Sequence, residues 1–227
     1  MNQPILIKDG KLLPVMEQFF SLQGEGFHTG EAAWFIRIGG CDVGCAWCDV
    51  KESWDTSLFP PTDTDEVVEK ALQCKAQAVI VTGGEPLLYN LDYLCEQIKA
   101  QDSRFKVQDK SSSLDPRPSS LIKTFLETSG SQSLSGTWDW ICLSPKRGWH
   151  PREEFYGISH ELKMIIHEAD DFQWAEEQAS KMNANAHLFL QPEWSHREAM
   201  LPAIIRYIET HPQWKLSLQM HKYIGIP

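Results

Sequence analysis

Trp34-Phe35-Ile36-Arg37-Ile38-Gly39-Gly40-Cys41-Asp42-Val43-Gly44-Cys45-Ala46-Trp47-Cys48 reads as a strand that runs into a cysteine loop. The β-branched and aromatic run Trp34–Ile38 predicts extended backbone, and Gly39-Gly40 predicts a turn. The turn delivers three thiols at CxxxCxxC spacing: Cys41, Cys45 and Cys48. Thiolates bind soft metals and iron–sulfur clusters. Three local thiolates can hold a four-iron cluster with one iron left open, and no fourth cysteine follows at short spacing.

Outward from this loop, strand-like runs recur at Ala78–Thr82, Thr124–Glu127, Trp140–Leu143, Leu162–Ile166, His187–Gln191 and Leu216–Gln219. Helical periodicity occupies Asp65–Leu72, Asp92–Ala100, Phe172–Met182 and Arg197–Thr210. Strands alternating with helices predict an α/β fold with a mostly parallel sheet. About six strand–helix repeats give a partial, incomplete TIM-like barrel of about six core strands, in which chemistry collects at the C-terminal strand ends. The expected organisation is one domain over residues 1–227. Residues 103–122, including the Ser/Pro-rich stretch Asp109–Ser120, are expected to form a flexible surface insertion.

The chain has 227 residues, 42% of them hydrophobic, enough for one sizeable core. Neither a signal-peptide pattern nor a membrane-spanning apolar run is visible, so the expected location is the cytoplasm, without membrane contact. There clustered thiols point to metal or catalysis. Cys74, Cys95 and Cys142 sit in apolar contexts and read as buried small side chains. A net charge of −10 without a Lys/Arg run argues against direct binding of nucleic acid.

Structural zinc is the competing reading of the cysteines. Zinc modules supply four ligands in pairs, whereas His28, the further donor at hand, precedes the strand and lacks a partner at paired spacing. A second motif, Val81-Thr82-Gly83-Gly84-Glu85-Pro86, follows a strongly apolar strand. Paired glycines there permit close approach of a ligand and can equally form a simple turn. In register with CxxxCxxC, this GGEP sequence resembles the radical S-adenosylmethionine superfamily.

Further matches narrow the resemblance. They are Phe20-Ser21-Leu22-Gln23-Gly24-Glu25-Gly26 before the loop, Glu127-Thr128-Ser129-Gly130, Leu143-Ser144-Pro145-Lys146, and the ending Gln219-Met220-His221-Lys222-Tyr223-Ile224-Gly225-Ile226-Pro227. The set, in this order from about Phe19 onward, closely resembles the 7-carboxy-7-deazaguanine synthase family of queuosine and 7-deazapurine biosynthesis. The resemblance implies a carbon–nitrogen lyase, a homodimer, that contracts 6-carboxy-5,6,7,8-tetrahydropterin to 7-carboxy-7-deazaguanine with loss of ammonia. A 5′-deoxyadenosyl radical takes the substrate C6 hydrogen. The implied cofactors are a [4Fe-4S] cluster on Cys41, Cys45 and Cys48, S-adenosylmethionine and Mg2+. The reductant is a donor such as flavodoxin or ferredoxin.

The resemblance also implies site residues. Leu22, Gln23, Gly24, Glu25, Arg37, Thr82, His221 and the terminal carboxylate of Pro227 would bind the pterin. Trp47, Cys48, Asp49, Gly84, Glu85, Ser129, Ser144, Pro145, Lys146 and Gln191 would meet the cofactor. Gln23 can pair with an amide-like edge through donor and acceptor alike, and Arg37 offers a fork to anionic groups. Gln23 can equally cap a turn, and Arg37 can form a surface pair. Glu161 and Lys163 read either as further cofactor contacts or as a structural ion pair. Two departures stand out. Val50 replaces the family's magnesium-binding threonine and offers no oxygen to a hard cation, so the Mg2+ side-chain ligand is open. Met220 replaces the usual threonine before His-Lys. The alternatives are a glycyl-radical-enzyme activase, which needs neither LQGEG nor a substrate-binding terminus, and a non-catalytic zinc-binding module.

Overall fold

Alternation along the strands separates two faces of one sheet, and that separation creates the site. The computed structural model describes residues 9–74, 76–108 and 122–227, with backbone alone for 103–108. The eight-stranded sheet contains β2 (Val15–Leu22), β3 (Ala32–Ile38), β5 (Ala78–Gly83), β6 (Lys123–Thr128), β7 (Trp140–Leu143), β8 (Glu161–Ile166), β9 (His187–Pro192) and β10 (Trp214–Leu216). Its order is β10-β9-β8-β7-β6-β5-β3-β2. Every pairing is parallel except β2 with β3. β2 and β10 lie at opposite edges and do not pair, so the barrel is open. A small antiparallel pair joins β1 (Leu12–Leu13) to β4 (Thr62–Asp63).

The helices are α1 (Thr64–Gln73), α2 (Asp92–Gln108), α3 (Glu154–Ile158), α4 (Asp171–Ala179), α5 (Arg197–Thr210) and α6 (Met220–Ile224). Ile36 and Ile38 of β3, Val79 and Val81 of β5, Leu126 of β6 and Leu162, Met164 and Ile166 of β8 point to the helices. They form the main core with Val67, Val68, Leu94, Ile98 and Ile204. Each strand's alternate residues point the other way. Low on that inner face, Ala33, Phe35, Ala78, Ile80 and Phe125 make a second, smaller cluster. Above it the inward positions turn polar: Arg37 and Thr82 are register partners, as are Glu127 and Cys142. A strand's period of two therefore places apolar floor and polar site on one face.

Several expectations shift. β2 has no counterpart among the predicted strands, because Glu17, Gln18 and Ser21 interrupt its apolar run. It is held by pairing with β3 and by Phe19 stacked on Phe35 at 5.2 Å. The strand expected at Leu216–Gln219 is instead β10, Trp214–Leu216, followed by a turn into α6. Helix α2 continues through Gln108, so 103–108, expected in the insertion, are helical; 109–121 lie outside the described residues. Cys95 and Cys142 are buried as expected, whereas Cys74 is only half-buried, its thiol donating to the Ala71 carbonyl at 3.0 Å. Burial pushes the thiol pKa up in all three. No helix among the described residues is long and apolar enough to cross a membrane.

Candidate active site

A cavity of about 260 Å3 opens at the C-terminal ends of the strands. One wall is the loop after β3. Its thiols Cys41, Cys45 and Cys48 are half-buried and line the cavity. Backbone bonds shape it: Cys48 N–H donates to the Cys45 carbonyl at 3.0 Å, and Gly44 takes the left-handed conformation (φ +64°). The GGEP turn braces the loop from behind. Gly84 N–H donates to the Ile38 carbonyl at 2.9 Å, and Glu85 N–H to the Gly40 carbonyl at 2.8 Å. A Cβ on Gly84 would meet the Gly40 carbonyl oxygen at 2.1 Å. The close approach that these glycines permit is therefore to the cysteine loop itself.

The thiols suit a cluster better than one zinc ion. Zn–S bonds of about 2.3 Å place tetrahedral thiolates about 3.8 Å apart. Among the described residues, the only set of three or more His, Cys, Asp or Glu whose ligand atoms all lie within 4.8 Å of one another is His167, Glu193 and His196. The three sulfurs are not such a set, so at least one pair of them stands further apart than one zinc ion bridges. Burial pushes the thiols of Cys41 and Cys45 up, with Lys146 opposing this at Cys45. Lys146 is itself pushed down by burial, and it donates to the Ser144 carbonyl and hydroxyl at 2.9 and 2.6 Å.

The opposite wall is a buried polar network drawn from distant segments. Lys163 on β8 reaches the carboxylates of Glu25, 2.5 Å away, and Glu127, 3.3 Å away. Gln23 donates to the other Glu127 oxygen at 2.8 Å and accepts from Glu25 N–H at 3.1 Å. Burial opposes ionisation of Glu25, but the Lys163 ammonium beside it prevails and holds the carboxyl at about 2. Gln219 of the turn before α6 donates to Glu25 at 3.1 Å. His221 packs against Gly24, where a Cβ would meet the imidazole Nδ1 at 2.3 Å. Burial pushes the His221 pKa down, with Glu25 opposing it. Arg37 pairs with Glu17 at 2.9 Å above the Phe19 ring, and the Pro227 carbonyl accepts from Ser21 Oγ at 3.1 Å.

Leu22, Gln23, Gly24, Glu25, Arg37, Thr82, His221 and Pro227 all line the cavity. So do Trp47, Asp49, Gly84, Ser129, Ser144, Lys146, Gln191 and Val50. Two expected contacts do not. Pro145 is buried and absent from the lining. Glu85 is 1% exposed and turned away: it accepts from Thr128 Oγ1 at 2.7 Å, from Ser129 N–H at 2.8 Å and Oγ at 2.5 Å, and from Leu87 N–H at 3.2 Å. Its carboxylate ties the end of β5 to the end of β6. The open question of Glu161 and Lys163 resolves into separate jobs. Lys163 lines the cavity, whereas Glu161 accepts from Phe27 N–H at 3.0 Å and Trp140 Nε1 at 3.1 Å. Sequence reasoning missed Phe19, Trp54, Glu193 and Trp194 on the lining. Glu127 opens the Glu127–Gly130 motif, and only the fold shows its pairing with Lys163 and Gln23. Asp49 is tied to Lys222 and Gln219.

Comparison with known proteins follows the same lines. The Radical SAM superfamily matches residues 35–134. A 7-carboxy-7-deazaguanine synthase of Flavobacterium psychrophilum is 50% identical over 98% of this chain and 97% of its own length. One from Synechocystis is 45% identical over 94% of this chain and 93% of its own. Among solved structures, a crystal structure of QueE from Escherichia coli superposes with a TM-score of 0.74 at 25% identity, covering 96% of this chain and 98% of that one. The thiol loop, its glycine brace and these near full-length likenesses together show that the chain belongs to the 7-carboxy-7-deazaguanine synthase family of radical SAM enzymes, which carry a [4Fe-4S] cluster and use S-adenosylmethionine.

Proposed function

We propose that this chain contracts 6-carboxy-5,6,7,8-tetrahydropterin to 7-carboxy-7-deazaguanine with release of ammonia. The observation that carries the reading is one cavity with an open thiol loop on one wall and the Gln23–Glu25–Glu127–Lys163 network on the other. When bound, the cluster and S-adenosylmethionine supply a carbon radical able to take the substrate C6 hydrogen. The protein's residues do the rest. Cys41, Cys45 and Cys48 hold the cluster. Gly84, Ser129, Ser144, Lys146 and Gln191 position the cofactor, with Trp47 and Asp49 flanking it.

Glu25, Glu127 and the Pro227 carboxylate accept from the guanidine-like edge of the pterin, Lys163 holds Glu25 and Glu127 in place, and Arg37 offers a cation to the substrate carboxylate. Gln23 is committed to Glu127 and the Glu25 amide, so it positions those groups. His221 adds an imidazole at the same mouth. Magnesium, when bound, would be held through the substrate and water or by another oxygen of the wall, because Val50 offers none. The reading includes a single domain over 1–227, a cytoplasmic homodimer and an external one-electron donor of the flavodoxin or ferredoxin kind.

The test is incubation of the cluster-loaded, reduced protein with carboxytetrahydropterin and S-adenosylmethionine, followed by mass spectrometry. The expected product is 7-carboxy-7-deazaguanine. Formation of 5′-deoxyadenosine without that product would overturn the substrate, and a colourless protein holding zinc but no iron or sulfide would overturn the class.

A further inference from the structure

We propose that His167, Glu193 and His196 form a site for one zinc-type divalent ion at the rim of the cavity, separate from the cysteine loop. The topology brings them together. Ile166 and Pro192 are register partners at the ends of β8 and β9, so His167 and Glu193, one residue beyond each, emerge side by side. The pairing continues through Glu193 N–H to the Ile166 carbonyl at 2.9 Å. A tight turn, Trp194–His196, then returns His196 over the same carboxylate.

The two imidazoles converge on one oxygen. His196 Nδ1 lies 2.8 Å and His167 Nδ1 3.7 Å from Glu193 Oε2, with the rings edge to face at 4.1 Å. Zinc bonds of 2.0–2.1 Å to nitrogen and oxygen place tetrahedral ligand atoms about 3.4 Å apart, between these two separations. His167 Nδ1 is buried without a hydrogen-bond partner, although its ring is partly exposed, so the orphaned nitrogen is the edge aimed at the carboxylate. Two imidazoles and a carboxylate are a zinc donor set with a fourth position left for water. Ser195 Oγ lies 3.0 Å from His196 Nδ1.

Glu193 is oriented as ligating carboxylates are, by hydrogen bonds from its surroundings. Ser195 N–H donates to Oε1 at 3.0 Å, and Ser195 Oγ and His196 N–H donate to Oε2 at 2.5 and 3.1 Å. On binding, the His196 Nδ1 contact to Oε2 gives way to two metal bonds. The Nδ1 proton that made the contact is released to solvent or replaced by one on Nε2, and each ligating neutral ring carries its proton on Nε2. The ion joins the ends of β8 and β9 and fixes Trp194. That side chain lines the cavity and packs against Tyr223 and Lys222 of α6, the helix that carries His221. The metal thus acts as a clamp on the wall that holds α6.

The experiment is anaerobic equilibrium dialysis of the cluster-loaded full chain against Zn2+, with zinc and iron measured together. Wild type is expected to retain one zinc per chain without losing iron. His167→Gln and His196→Gln are each expected to weaken zinc binding about 10-fold or more. The His196 side chain is 49% exposed, so its replacement leaves the core intact. Zinc is expected to raise the melting temperature of wild type and not that of His196→Gln. Equal zinc affinity in wild type and both variants would overturn the proposal. So would uptake of zinc in step with loss of iron, which would place the metal in the cysteine loop.

Discussion

The two walls of the cavity face the same space and are built on opposite principles. The thiol wall comes from two short segments, residues 39–49 and 83–85, and is held by backbone hydrogen bonds and by glycines that let two chains touch. The polar wall comes from the end of β2, from β6 and β8 and from the approach to α6. It is held by side-chain charge pairs out of water. The difference teaches where each wall is fragile. Added volume breaks the first, and a lost charge breaks the second.

The largest effect is expected at Lys163. Lys163→Met removes the buried ammonium from between the partly buried Glu25 and Glu127. Breaking a fully buried pair costs about 3–5 kcal/mol, and this partly exposed one should cost somewhat less. Urea unfolding should show the loss. The double variant Lys163→Met/Glu25→Gln should recover part of it, since one uncompensated charge goes. A single variant as stable as wild type would show that the network is solvated.

Next in size is Gly84→Ala. Its methyl group collides with the Gly40 carbonyl, which is backbone and cannot swing aside. Overpacking of this kind costs about 1–3 kcal/mol, and it should be accompanied by reduced iron per chain. Unchanged iron content would mean that the brace does not set the thiol positions.

Acid should separate the walls more gently. The Glu25 carboxyl is held at about 2 in the folded chain against an ordinary value of 4.5. A depressed carboxyl contributes its full stability above the unfolded value and loses it as pH falls through the folded one. The contribution should therefore fade from pH 4.5 down to 2, and Glu25→Gln should flatten that limb of the stability curve. The smallest effect belongs to Val50→Thr, which returns an oxygen to the cavity wall. Activity should then saturate at a magnesium concentration lower by a few-fold, about 1 kcal/mol or less.

The same contrast explains what was legible in the sequence. The thiol wall is local, so spacing and glycine placement announced it, as did the alternating strands and helices of the parallel sheet. Glu85 misled because its motif reads as ligand-facing, whereas burial turns its carboxylate onto Thr128 and Ser129. The pairing of Lys163 with Glu25 and Glu127 joins residues far apart in the chain, and no local pattern encodes it. β2 escaped because its polar residues break the apolar run, and pairing with β3 supplies what propensity does not. His167, Glu193 and His196 meet only because the ends of β8 and β9 are in register.

Removal of Pro227 tests most directly whether the two walls do separate work. The residue stands at the polar wall, at 3.1 Å from Ser21 Oγ, and far in sequence from the thiols. Charge-assisted hydrogen bonds of 1.5–3 kcal/mol correspond to a KM raised about 10-fold or more. The deleted protein should show that rise for carboxytetrahydropterin, with iron per chain and S-adenosylmethionine cleavage unchanged. An unaltered KM, or iron and cleavage lost together with substrate binding, would contradict the division.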